Sequence, residues 1–188
     1  MQSRARTALA KPRHWLCRGF LLFALLAQGA HAEEYLSMEQ FLTQVFGESV
    51  PAAQKMWVSK EQREVATEQF GLGRPSMRVR YWLEGDRSAW ILQEIGKEKP
   101  ITIGVGLRAG QVETVRILAF RESRGWEVKY PYFTEQFTGA TIDAEQRLDR
   151  RIDGITGATM SVDAVQKVVR WALYLEQGVQ RRETADAG

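Results

Sequence analysis

Apolar positions change period along this chain, and each change marks a different kind of element. From Glu33 to Gly47, EEYLSMEQFLTQVFG sets Leu36, Phe41, Leu42, Val45 and Phe46 at helical spacing. Ser37, with Gln40 three residues on, supplies an N-cap, and Gly47 a stop. A second helix is predicted over Ser59–Phe70, with Ser59 and Gln62 as its capping pair and the GLG at 71–73 as its end. The period then shortens. RVRYWLEG (78–85) and SAWILQEI (88–95) read as strands joined by a turn at Gly85-Asp86-Arg87. Two more strands, ITIGVGLR (101–108) and VETVRILAFR (112–121), flank Ala109-Gly110-Gln111. Val112, Val115, Ile117 and Ala119 do not alternate cleanly, which points to a bulge. Residues 122–150 read as mostly irregular. From Val162 to about Gln177, Val162, Val165, Val168, Val169, Ala172 and Leu173 form one helical stripe.

The sum is an α+β domain, an antiparallel β-sheet flanked by helices. We divide it into an N-terminal helical and strand segment (33–87), a main domain (88–177) and a polar tail (178–188) expected to be disordered.

Residues 1–32 follow another pattern. Arg4, Arg6, Lys11, Arg13 and Arg18 occur there with no acidic residue, the run Gly19–Gln28 is almost wholly apolar, and Ala30-His31-Ala32 closes the segment. This is the order of a signal peptide cleaved after Ala32, which implies export, to the periplasm in a bacterium. The apolar run is about half the ~20 residues of a membrane span, so a retained anchor is the less favoured alternative. Removing the segment changes the composition that matters. The chain has 26 basic and 23 acidic residues, and without the five signal cations 21 face 23, a net of −2. A nucleic-acid partner is therefore not expected from net charge. Cys17, His14 and His31 also leave with the signal. Disulfides, iron–sulfur clusters, His-ligated metals and Cys or His nucleophiles go with them, so redox chemistry would need an organic cofactor. We expect no metal site and no catalytic residue.

One segment carries chemistry. Before the last helix the chain reads Asp153-Gly154-Ile155-Thr156-Gly157-Ala158-Thr159-Met160-Ser161. Gly157 and Ala158 permit close approach to the backbone, and Thr156, Thr159 and Ser161 offer hydroxyls. The helix, expected to begin near Ser161, presents unpaired N–H groups that favour a phosphate. From the residues alone two readings stand: a phosphate-holding helix start, or a loop with a Ser or Thr N-cap, the commoner feature.

DGITGAT resembles the flavinylation motif D-x-x-[S/T]-G-A-[T/S] of the FMN-binding domain family. That family includes the FMN-bearing subunits of sodium-pumping NADH:quinone reductase and Rnf complexes, and small exported proteins. The resemblance implies that Thr159 carries FMN through a phosphoester. It further implies that Asp153, Thr156, Gly157 and Ala158 form the motif read by a periplasmic flavin transferase using FAD and magnesium. Ser161 is a further candidate contact. The stretch IGVGLRAGQVETVRILAFRESRGWEV resembles the family's hairpin and the E-[S/T]-x-G element that follows it. Glu122-Ser123-Arg124-Gly125 fits that element, with Ser for the usual Thr and without the frequent Pro-Gly continuation. Glu122 and Ser123 become candidate flavin contacts. The similarity spans roughly residues 88–176.

Other features are weaker. Gly104-Val105-Gly106 lacks a third glycine and reads as close strand packing. Trp126, beside the ESRG element, is the candidate to approach the flavin ring. Arg147, Arg150 and Arg151 are candidates to neutralise phosphate, although a solvated basic run is the commoner meaning. The resemblance implies an electron carrier between a membrane reductase or quinol-linked donor and an exported acceptor, with membrane association as a variant. A reductase acting directly on a small substrate is the alternative, and a binding module with a decayed flavin site ranks last.

Overall fold

The computed structural model describes residues 33–186, so the signal-peptide reading, with Cys17, His14 and His31, lies outside the described residues. Six strands form one antiparallel sheet in the order β1-β6-β5-β4-β3-β2. They are β1 (Glu33–Glu34), β2 (Gln54–Trp57), β3 (Arg78–Glu84), β4 (Arg87–Ile95), β5 (Pro100–Arg108) and β6 (Gln111–Phe120). The helices are α1 (Met38–Phe46), α2 (Lys60–Glu68), the short α3 (Pro131–Thr134) and α4 (Thr159–Asp186), with 3-10 turns at Trp126–Lys129 and Glu135–Phe137. The expected α+β class holds, and one sheet joins segment 33–87 to the rest. Two strands escaped the sequence pattern. In β2 only Met56 points into the core, and β1 is two glutamates paired with Ala119 and Phe120.

Period-two patterning divides the sheet into two faces. Val79, Tyr81, Trp90, Leu92, Ile101, Ile103, Val105 and Leu107 face the main core with Val165, Val168, Val169, Ala172 and Leu173 of α4. The opposite face takes α1: Phe41, Leu42, Val45 and Phe46 pack with Trp82, Ala89 and Leu118. Gly104 and Gly106 lie under α1, where a Cβ would stand 2.8 Å from the Phe41 ring at Gly104 and 2.9 Å from Val45 at Gly106. Close packing is therefore their role. The expected bulge in β6 is present twice: Thr102 pairs with Ala119 but Ile103 with Ile117, and Gly106 pairs with Thr114 but Leu107 with Val112. Each shift returns apolar residues to the core side.

Two expectations change at α4. The helix begins at Thr159, not near Ser161. It also runs to Asp186, where the sequence suggested a disordered tail after Gln177. Val179, 4% exposed, extends the buried stripe by another turn, and Gln180 donates to Glu176 at 3.0 Å. These contacts offset the roughly 1 kcal/mol that Gly178 costs inside a helix. Glu176 is itself buried and accepts from Ser88 Oγ at 2.7 Å and Trp90 Nε1 at 3.1 Å, tying α4 to β4. Arg170 adds a clamp, donating to the Gln69 and Gln146 carbonyls while its guanidinium lies 4.9 Å from the Phe70 ring centre.

Candidate functional site

The motif is held from below and open above. Arg150 donates to the Thr138 and Gly139 carbonyls, both at 2.8 Å, which fixes the strand-like approach to the motif. Its hydrogen bond to Asp149 also holds that carboxyl below its usual range. Arg147 is engaged by Asp143 and Glu145. Two of the three arginines considered for phosphate are thus committed to the loop. Arg151 is exposed, 3.9 Å from an equally exposed Asp153. The Asp153 amide donates to Gln136 Oε1 at 2.7 Å, and Ile152 is buried beneath.

A turn follows, closed by Ala158 N–H to the Ile155 carbonyl at 3.0 Å. Gly157 sits in it at φ +83°, and nothing lies within 4 Å of where its Cβ would be. Glycine is needed there for its backbone angle, and the space beside it is free. The Ala158 carbonyl accepts the first α4 hydrogen bond, from Val162 at 2.9 Å, so Ala158 occupies the N-cap position. Its methyl accepts nothing. The amides of Thr159, Met160 and Ser161 lie in the first turn and have no carbonyl one turn back to bind. There is no acidic residue in that turn to use the positive end of the helix dipole. Asp153, Thr156, Gly157 and Thr159 are exposed, whereas Ala158 and Ser161 are buried.

The ESRG element packs against this helix start. Gly125 is buried in the left-handed region at φ +84°, where a Cβ would stand 3.5 Å from Ala158 Cα and clash with Ser161 Oγ. Ser161 therefore faces Gly125, not the open surface. Ser123 and Arg124 are exposed. Glu122 turns the other way: its Oε1 accepts the amides of Glu98 at 2.6 Å and Lys99 at 2.8 Å and closes the β4–β5 turn. Burial works against its charge, but the amides of Lys99, Glu98 and Lys97 outweigh it and keep the carboxyl below the ordinary range.

Beyond Gly125 lies an exposed aromatic group. Trp126 meets Tyr130 edge-on at 5.7 Å, and Tyr130 meets Tyr132 at 5.9 Å. Lys129 Nζ stands 3.8 Å from the Tyr35 ring centre, 5.3 Å from Trp126 and 5.6 Å from Tyr130. Met160, on the first turn of α4, is also exposed. Sequence reasoning selected Trp126 alone. The spacing in Trp126-Glu127-Val128-Lys129-Tyr130-Pro131-Tyr132 was the signal for the others, whereas Tyr35 and Gln136 had none.

Residues 96–174 match the family model described as the FMN-binding domain. This segment is thereby assigned to the FMN-binding domain family. No curated protein matches the chain. Both the DGITGAT motif and the ESRG element fall inside the matched span. An FMN-binding domain needs a place for a phosphate and a place for a ring. The first-turn amides at 159–161 suit the first, and the exposed aromatic group beside Gly125 suits the second. Among the described residues no cluster of His, Cys, Asp or Glu could hold a metal, and no helix is long and apolar enough to cross a membrane.

Proposed function

We propose that this flavoprotein is exported, holds FMN by a phosphoester on Thr159, and carries electrons between a membrane-associated donor and an exported acceptor. One observation carries the reading: an exposed hydroxyl, within the DGITGAT motif, on the first turn of a helix whose N-cap residue is Ala158. Attachment would join the Thr159 oxygen to the FMN phosphorus of FAD. The pyrophosphate bond breaks, AMP leaves, and the hydroxyl proton passes to a base of the transferase or to water. Once bound, FMN supplies reversible electron transfer.

The chain's own residues then anchor and orient. The Thr159, Met160 and Ser161 amides would bind the phosphodiester oxygens, and the helix dipole favours their charge. Trp126 and Tyr130 offer apolar faces on which the ring can lie, and Lys129 keeps a positive charge beside it. Covalent attachment suits an exported carrier, since a dissociating cofactor outside the cytoplasm is lost by dilution.

The test is coexpression with a flavin transferase followed by intact mass measurement. The expected gain is the mass of FMN less one water, with flavin fluorescence surviving denaturing electrophoresis. A bare polypeptide mass under these conditions would refute the reading.

A further inference from the structure

The half of the sheet that α1 leaves uncovered is basic and concave. Lys55, Ser76, Arg78, Arg80 and Ile91 line a cleft of 410 Å³ there. Lys55 of β2 stands directly opposite Arg80 of β3, and Trp57 opposite Arg78. Like charges paired across a strand destabilise a sheet. Arg87, Arg108, Arg147 and Arg150 each hold a carboxylate. Among the described residues, no carboxylate is paired with Lys55, Arg78 or Arg80, and none lines the cleft. Arg78 instead lies 5.6 Å from the Trp57 ring centre. Trp57 is 68% exposed and Met77, next to Arg78, 62%. Exposed Trp, Met and Arg together are what protein interfaces concentrate.

We propose that this cleft docks a carboxylate-rich patch of a partner protein. The chain's own N-terminal segment is an unsuitable occupant, because residues 1–32 carry five cations and no acid. An anionic lipid surface fits less well, since it is flat and the three cations surround a hollow. A carboxylate entering the hollow would relieve the Lys55–Arg80 repulsion, and the Trp57 rim would exclude water from the contact. The inference goes beyond the flavin reading and does not depend on it.

The experiment is a titration of the full chain with a decaglutamate peptide, followed by NMR at low salt and again at about 0.15 M, where the Debye length is ~8 Å. Shifts are expected at Lys55, Trp57, Arg78 and Arg80, weakening as salt rises. Lys55→Glu should cut affinity roughly tenfold, because it puts a like charge against the incoming carboxylates. The same change makes an opposite-charge pair with Arg80, so its thermal midpoint should stay level or rise. A fall in midpoint would mean that Lys55 serves the fold, and would overturn the proposal. So would shifts spread evenly over all exposed cations, or unchanged affinity in Lys55→Glu. Two further outcomes also sink it: anionic vesicles that bind through these residues when decaglutamate does not, and sedimentation showing that a second copy fills the cleft.

Discussion

Helices α1 and α2 close their own N-termini, and α4 does not. Ser37 accepts from the Gln40 amide at 3.2 Å while Gln40 Oε1 accepts from the Ser37 amide at 2.9 Å, and Ser59 with Gln62 repeats the arrangement at the same distances. At α4 the corresponding position is Ala158, buried against Gly125, with a side chain that cannot accept a hydrogen bond. A Ser or Asp cap contributes about 1 kcal/mol, so the longest helix among the described residues forgoes stability that two shorter ones take. The difference teaches that sequence economy is not the reason. A helix start without a capping side chain at its N-cap position, glycine-flanked and presenting a hydroxyl, is suited to an external anion.

The comparison breaks most completely at Thr159. Thr159→Ala should abolish covalent flavin, seen as loss of the FMN-minus-water mass, while far-UV circular dichroism stays unchanged because the side chain is exposed. Thr159→Ser should restore it. Retention of flavin in the alanine variant would move the attachment elsewhere. Next in size is Gly125→Ala. It strains a residue at φ +84° and drives a methyl into Ser161, for an expected loss of about 1–3 kcal/mol. Thermal unfolding should register this as a drop of roughly 2–4 °C per kcal/mol, accompanied by poorer flavin loading. Normal loading at a lowered midpoint would show that the ESRG element supports the fold only.

A smaller effect sharpens the contrast from the other side. Ser59→Ala should cost about 1 kcal/mol in chemical denaturation, by removing one capping acceptor, and leave flavin loading untouched. If it lowered loading as Thr159→Ala does, the N-termini of α2 and α4 would not differ in function.

Legibility in the sequence followed the range of the forces involved. Both capping boxes, the four central strands and a bulge in β6 are readable, because the caps rest on neighbours within a few residues, the strands on period two and the bulge on its interruption. The start of α4 lies two residues before the expected one, because a hydroxyl is the usual N-cap and the chain uses Ala158. Its end was misplaced because Gly178 and a polar tail outweighed the single buried Val179 in the pattern. β1 and β2 were invisible: they are strands only by virtue of β6 and β3 beside them. At the site, DGITGAT was legible as a motif. The packing of Gly125 against Ala158 and Ser161, and of Lys129 against Tyr35, depends on contacts between distant segments, which no local pattern encodes.

Glu122 offers the finest probe, since it was a candidate for the flavin and is engaged at the β4–β5 turn. Glu122→Gln keeps an oxygen for the Glu98 and Lys99 amides and removes only the charge, so the loss at neutral pH should stay below about 1 kcal/mol. Its folded carboxyl titrates below the ordinary range. The charged form therefore stabilises the fold above the unfolded pKa, and that contribution disappears as pH falls through the lower folded value. Denaturation of wild type and variant from neutral to acid pH should show two stabilities that converge at the acid end. A gap that persists there would mean that shape, not charge, is what Glu122 contributes. Unchanged flavin loading in this variant, beside its loss in Thr159→Ala, would assign Glu122 to the scaffold that carries the ESRG loop to α4.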